Sequence, residues 1–227
     1  MSVSQSVRNA VVRVRRAPAA LWHNRDGAAI LEFALVAPAF IALLIAILNV
    51  MLVFLAQEGL ETAAEDAARL LTTGEAQTTT LSNGDVGMSS SDFKNIICNG
   101  GTGTDSNGAA ITYAQILPPM LSCSRLTVNV ISAGSYNVSS TAAPTFTYNS
   151  NGVITSTGTG YTPQTGGLGQ NQIVALQLIF MWPTTKSLLG FDLSTHIQNK
   201  NNSDRMLVAT SVFTTENYNC GASQTSC

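Results

Sequence analysis

Between residues 28 and 56 the chain holds a single charged side chain, the carboxylate of Glu32, among 29 residues that are otherwise almost entirely apolar. An ionised carboxylate inside hydrocarbon costs at least about 2.5–3.5 kcal/mol on insertion scales, so such a group normally has a partner or a role. The alternative is positional. Glu32 stands five residues after Gly27, close enough to the start of the run to reach water at an interface. Within the same run, Pro38 removes one backbone hydrogen bond. It is expected to kink or loosen a helix there, which a membrane tolerates when neighbouring groups compensate.

The four cysteines, Cys98, Cys123, Cys220 and Cys227, all follow the apolar run. An even count suits two disulfides, for which three pairings exist. Cys98 with Cys123 and Cys220 with Cys227 is the favoured set, because each bridge closes a modest loop and the second ties down the tail. Metal binding would need a compact cluster of Cys and His. The sequence has no C-x-x-C and only His23 and His196, so no metal is expected.

Catalytic patterns are equally absent: there is no G-x-S-x-G, no H-E-x-x-H and no P-loop. The clusters Gly100-Gly101-Thr102-Gly103 and Gly166-Gly167-Leu168-Gly169 lack the third glycine and the setting of a dinucleotide loop. Asn99, Asp105 and Asn107 could offer oxygens to Ca²⁺, but without EF-hand spacing they read as turn chemistry. No catalytic residue and no cofactor is expected, and the chain reads as a protein that is not an enzyme.

The charges are placed unevenly. Residues 1–25 contain Arg8, Arg13, Arg15, Arg16 and Arg25 and no acid, whereas the remainder carries six basic residues and all thirteen acids. Basic residues before an apolar run oppose translocation and place the N-terminus in the cytoplasm. A nucleic-acid-binding arm would need aromatic interleaving beyond Trp22, so no nucleic acid is expected as a partner. A secretory signal peptide has an apolar region of about 7–15 residues ending at a small-x-small site. Here the run is about twice that, and its end, Phe54-Leu55-Ala56-Gln57, lacks the Ala-x-Ala pattern. The segment is therefore read as a retained transmembrane helix.

The stretch Gly27-Ala28-Ala29-Ile30-Leu31-Glu32-Phe33-Ala34-Leu35-Val36-Ala37-Pro38, preceded by Arg25-Asp26, resembles a prepilin-type leader junction. It is similar in particular to the TadE/TadG-like family of the tight-adherence (Tad) pilus machinery. Gln57 and Thr62-Ala63-Ala64-Glu65-Asp66-Ala67-Ala68-Arg69 resemble that family's second block, a Gln followed by Ala-Ala-x-x-Ala-Ala-Arg. Toward the C-terminus the likeness fades. Relatives tend to end on a strand followed by Arg-x-Glu-Pro, and in Phe213-Thr214-Thr215-Glu216-Asn217 only Glu216 fits.

The resemblance implies processing after Gly27 by a prepilin peptidase, with Gly27, Ala28, Glu32 and Phe33 as the processing and assembly residues. Cleavage would leave a protonated amine on Ala28, about 6 Å by helical rise from Glu32. That carboxylate could meet its own amine or the amine of an adjacent subunit, offsetting desolvation and fixing axial register. The implied partners are the membrane and other pilins or Tad assembly proteins, met through the N-terminal helix. Two roles follow. One is a minor pilin or pseudopilin-like structural subunit; the other is an uncleaved anchored accessory protein that binds assembly components or an extracellular surface in cell adhesion.

Beyond the membrane the helix is expected to continue as a stem. Leu60, Ala63, Ala64, Ala67, Ala68 and Leu71 recur on one helical face, with Glu58, Glu61, Glu65 and Asp66 mostly elsewhere. Glu65 and Arg69 form a favourable i,i+4 pair, and Thr72-Thr73-Gly74 offers a stop. The alanine stripe fits either the chain's own globular part or a partner's helix. Strands are expected at 126–130, at 173–182 as a more central one, and at 206–213 with Val208 and Val212 on one face. Shorter candidates lie at 113–117 and 145–148, and residues 91–98 suit a short helix capped by Ser91. Residues 100–109 and 133–170 are rich in Gly, Ser, Thr and Asn; the second is long for a loop and reads either as a hairpin excursion, with an Asn151-Gly152 turn signal, or as a mobile surface loop.

The fold class is thus α+β: a long N-terminal helix, transmembrane and then projecting as a stem, packed by a small antiparallel β-sheet domain. The expected organisation is a basic cytoplasmic leader at 1–27, a transmembrane helix at 28–56, an extracytoplasmic helical stem at 57–74 and a β-rich extracytoplasmic domain at 75–227. The expected location is the bacterial inner membrane, crossed once, with the C-terminal domain periplasmic or extracellular.

Overall fold

The computed structural model of the chain describes residues 26–133, 146–148, 154–157, 170–184 and 204–218. The arginine-rich leader, His196, the Asn151-Gly152 turn and the pair Cys220 and Cys227 lie outside the described residues. The fold is α+β, a long N-terminal helix followed by two small antiparallel three-stranded sheets. The chain divides into two units, Met1–Asn49 and Val50–Cys227.

Helix α1 (Asp26–Thr72) begins in the first unit and carries Pro38 inside it. No glycine occurs between residues 28 and 58, and Ala, Leu and Ile dominate, so backbone propensity favours the helix throughout. In the first unit its large side chains point outward on every side: Ile30, Phe33 and Leu35 are each more than 70% exposed.

In the second unit the same helix becomes one-sided. Ala56, Leu60, Ala63, Ala64, Ala67, Ala68 and Leu71 are buried in the main core. The helix closes where the hydroxyls of Thr72 and Thr73 turn back to the carbonyls of Ala68 and Arg69. Gly74 follows with φ 79°, a left-handed conformation that glycine adopts without a Cβ penalty. The ring of Tyr218 lies against it, so close that a Cβ there would stand 2.3 Å from the ring's Cγ.

After the short α2 (Glu75–Thr78), β1 (Thr80–Leu81), β2 (Gly101–Thr104) and β3 (Ala110–Tyr113) form the first sheet, in that order and antiparallel. Helix α3 (Ser90–Asn99) lies between β1 and β2 in sequence and buries Phe93, Ile96, Ile97 and Cys98. Its cap is Ser89 rather than Ser91. The Ser89 hydroxyl accepts from the Asp92 amide while the Asp92 carboxylate accepts from the Ser89 amide, a reciprocal box that Ser91 cannot make from inside the helix.

Residues 100–109 are not simply a loop. Their first half is β2, whose Gly-Thr-Gly-Thr sequence shows no apolar alternation because little of it is buried. The short strand expected at 113–117 does not form: the observed β3 ends at Tyr113, and beyond it the amides of Ile116 and Leu117 both donate to the Ile97 carbonyl. At the junction, Gly100 has φ 71° and ψ −169°, and a Cβ would fall 2.4 Å from the Tyr113 carbonyl oxygen. Gly100→Ala is therefore expected to cost about 2–3 kcal/mol of stability. A urea-denaturation midpoint unchanged from that of the parent would contradict this.

The second sheet has the order β4-β7-β8, built from β4 (Leu126–Ala133), β7 (Ile173–Pro183) and β8 (Asp204–Thr214), all antiparallel. Strand β7 is central and covered on both faces, which explains its nearly continuous apolar sequence. Val174, Leu176, Leu178 and Phe180 enter the main core with α1. On the opposite face Ile179 and Met181 pack with Ile154, which belongs to a hairpin of β5 (Phe146–Tyr148) and β6 (Ile154–Thr157). The 133–170 stretch therefore contains a hairpin excursion. Gln177, the one polar interruption, accepts a hydrogen bond at 3.0 Å from Asn129 directly across on β4.

Candidate functional site: the N-terminal helix

Of the expected site residues, Gly27, Ala28, Glu32, Phe33 and Pro38 all fall within the first quarter or so of α1. Glu32 and Phe33 are one residue apart and both exposed, Phe33 at 73%. Leu31, Val36, Phe40, Ile41, Leu43 and Leu48 are also at least half exposed. A helix that is apolar all round and, among the described residues, not buried suits a lipid environment or close packing against other helices. By length and composition the helix over Ile30–Thr72 is apolar enough to cross a membrane, near the N-terminus.

Gln57 is placed by two contacts. Its amide nitrogen donates to the Glu61 carboxylate at 2.7 Å and to the Val208 carbonyl of β8 at 3.1 Å. Strand β8 is an edge strand, so this carbonyl would otherwise lack a ladder partner. Gln57 therefore stitches the stem to the sheet edge, a job that sequence spacing alone could not reveal. The alanines that follow, Ala63, Ala64, Ala67 and Ala68, lie against the chain's own core.

The expected Glu65–Arg69 pair does not form; among the described residues the ion pair is Arg125–Asp204, at 3.4 Å. An exposed i,i+4 pair is worth only a few tenths of a kcal/mol, about what ordering two long side chains costs. At the far end of the stem, the Glu216 amide donates to the Thr72 carbonyl at 3.0 Å, satisfying one of the last carbonyls of α1. The segment after β8 is thus tied to the helix terminus.

Cys98 and Cys123 are joined in a disulfide, linking the end of α3 to the 3₁₀ turn Cys123–Arg125 that leads into β4. Asp105 sits in the β2–β3 turn, where its carboxylate accepts from the amides of Ala109 and Asn107 at 2.7 and 2.9 Å. These backbone hydrogen bonds, that of Ala109 foremost, hold its pKa below the usual carboxylate range. Of the oxygens that could have suggested a cation site, those of the Asp105 carboxylate are engaged in closing the turn.

No curated protein and no solved structure matches the chain. What does match is the greater part of α1: residues 27–69 are similar to the family described as TadE-like protein.

Proposed function

We propose that the chain is a minor pilin or pseudopilin-like structural subunit of a Tad-type pilus, held in the bacterial inner membrane by α1. Its N-terminus faces the cytoplasm and its disulfide-bonded domain faces outward. The observation that carries this is a coincidence in one segment. The TadE-like match at 27–69 covers a helix whose apolar half is exposed all round and bears one carboxylate, Glu32. Processing after Gly27 by a prepilin peptidase would give Glu32 a counter-charge on Ala28 of the same or an adjacent subunit. The role is structural rather than catalytic, and its partners are other pilins or Tad assembly proteins.

The deciding experiment is the N-terminal residue of the protein purified from membranes of a producing cell. A chain beginning at Ala28 supports the processed subunit. An intact leader would make the protein a fixed anchored accessory, because an Arg-rich cytoplasmic segment resists leaving the bilayer. Glu32→Gln is expected to lower incorporation into the assembly about tenfold, since a hydrogen bond to a charged group contributes about 1.5–3 kcal/mol. The outer domain should stay folded. Normal incorporation of that variant would remove Glu32 from the assembly contact.

A further inference from the structure

At the end of the second sheet where β8 begins, a cleft of about 200 Å³ is lined by Val50, Val53, Phe54 and Gln57 of α1 and by Arg205, Met206 and Leu207 of β8. Its two walls differ in chemistry. Val50, Val53 and Phe54 belong to the last turns of the apolar run, and Phe54 is 67% exposed. Arg205 brings a guanidinium to the rim. It shares the strand face of Leu207 and Ala209, which are buried toward α1, but lies far enough along the strand to be exposed itself.

Directly across the ladder from Arg205 is Trp182 on β7. The acid next to Arg205 in the chain, Asp204, is already engaged with Arg125 at 3.4 Å. Among the described residues, Arg205 has no ion pair of its own.

We propose that this cleft is a phospholipid site. The headgroup phosphate is held by Arg205, and the upper part of an acyl chain lies along Val50, Val53 and Phe54. Three features select a membrane lipid over other occupants. The apolar wall is itself the end of the segment read as membrane-spanning. The planar guanidinium fork matches a phosphate bidentately. The indole of Trp182 stands on the neighbouring strand, and tryptophan is the residue enriched at headgroup level. Binding there would brace the foot of the sheet against the bilayer surface and restrict its tilt. The proposal rests on the reading of α1 as a membrane anchor.

The test uses the full chain with Trp22→Phe, leaving Trp182 as the one tryptophan, in phosphatidylcholine vesicles containing increasing phosphatidylglycerol with brominated acyl chains. Quenching of Trp182 is expected to saturate. Arg205→Glu is expected to raise the required phosphatidylglycerol about fivefold or more, and Arg205→Lys to recover part of the loss. Added inorganic phosphate should leave the quenching unchanged; relief of quenching would mean that the site takes free phosphate, not lipid. Vesicle flotation separates membrane anchoring by α1 from lipid binding at the cleft. A chain that fails to float removes the membrane anchor and the lipid site together. A chain that floats but is quenched identically with Arg205 or Glu at that position removes the lipid site alone.

Discussion

Removing the Cys98–Cys123 bridge is expected to lower the stability of the Val50–Cys227 unit by about 3–4 kcal/mol. The bridge spans 25 residues, and cross-linking a loop of that size removes roughly this much chain entropy from the unfolded state. The loop is well chosen. It contains all of β2 and β3 and ends at the turn before β4, so it holds the first sheet's return path next to the start of the second. Because Cys98 is 3% exposed, Cys98→Ala with Cys123→Ala is the suitable variant; serine would add an unsatisfied hydroxyl to the core. Urea denaturation of the full chain in detergent micelles, followed by far-ultraviolet dichroism, measures the effect. Coincident unfolding curves for parent and double variant would show that the bridge is energetically idle. A disulfide of this kind persists in an oxidising compartment, which agrees with the proposed outward orientation of the domain.

What the sequence discloses about this fold depends on whether burial writes a pattern. The stem stripe from Leu60 to Leu71 was legible because one face of a helix is buried and the others are not, which imposes the 3.6-residue period. Strand β7 was legible as central because both its faces are covered. Strand β2 was not, since Gly101-Thr102-Gly103-Thr104 buries little and leaves no alternation to read. The same limit applied to α3, where the reciprocal bonds of Ser89 and Asp92 set the start, one residue before the position that periodicity favoured.

In the candidate site, Glu32 and the apolar run could be seen directly, because one charge among apolar residues is conspicuous. The function of Gln57 could not, because its partner is 151 residues away. Arg205 was invisible for the same reason. Only strand pairing brings it beside Trp182, and only tertiary packing brings it to the last apolar turns of α1.

Leu60→Ala is expected to destabilise the same unit by about 2–5 kcal/mol, whereas Leu55→Ala changes it by no more than about 0.5 kcal/mol. Both leucines lie on one helix five residues apart, but Leu60 is fully buried and Leu55 is 57% exposed. The contrast decides what the stem's apolar face is for. In the structure, Ala63, Ala64, Ala67 and Ala68 are already covered by the chain's own core, so a partner helix cannot use them without displacing the sheet. In the proposed assembly, helix contacts would then fall to the exposed apolar turns nearer the N-terminus, around Ile30, Phe33 and Phe40. Along the stem, the outward residues include Glu58, Glu61, Glu65 and Asp66. If Leu60→Ala left urea stability intact and instead abolished co-purification with the pilus components, the stripe would belong to a partner. A stability loss with residual assembly in proportion to the folded fraction places it in the core of this domain.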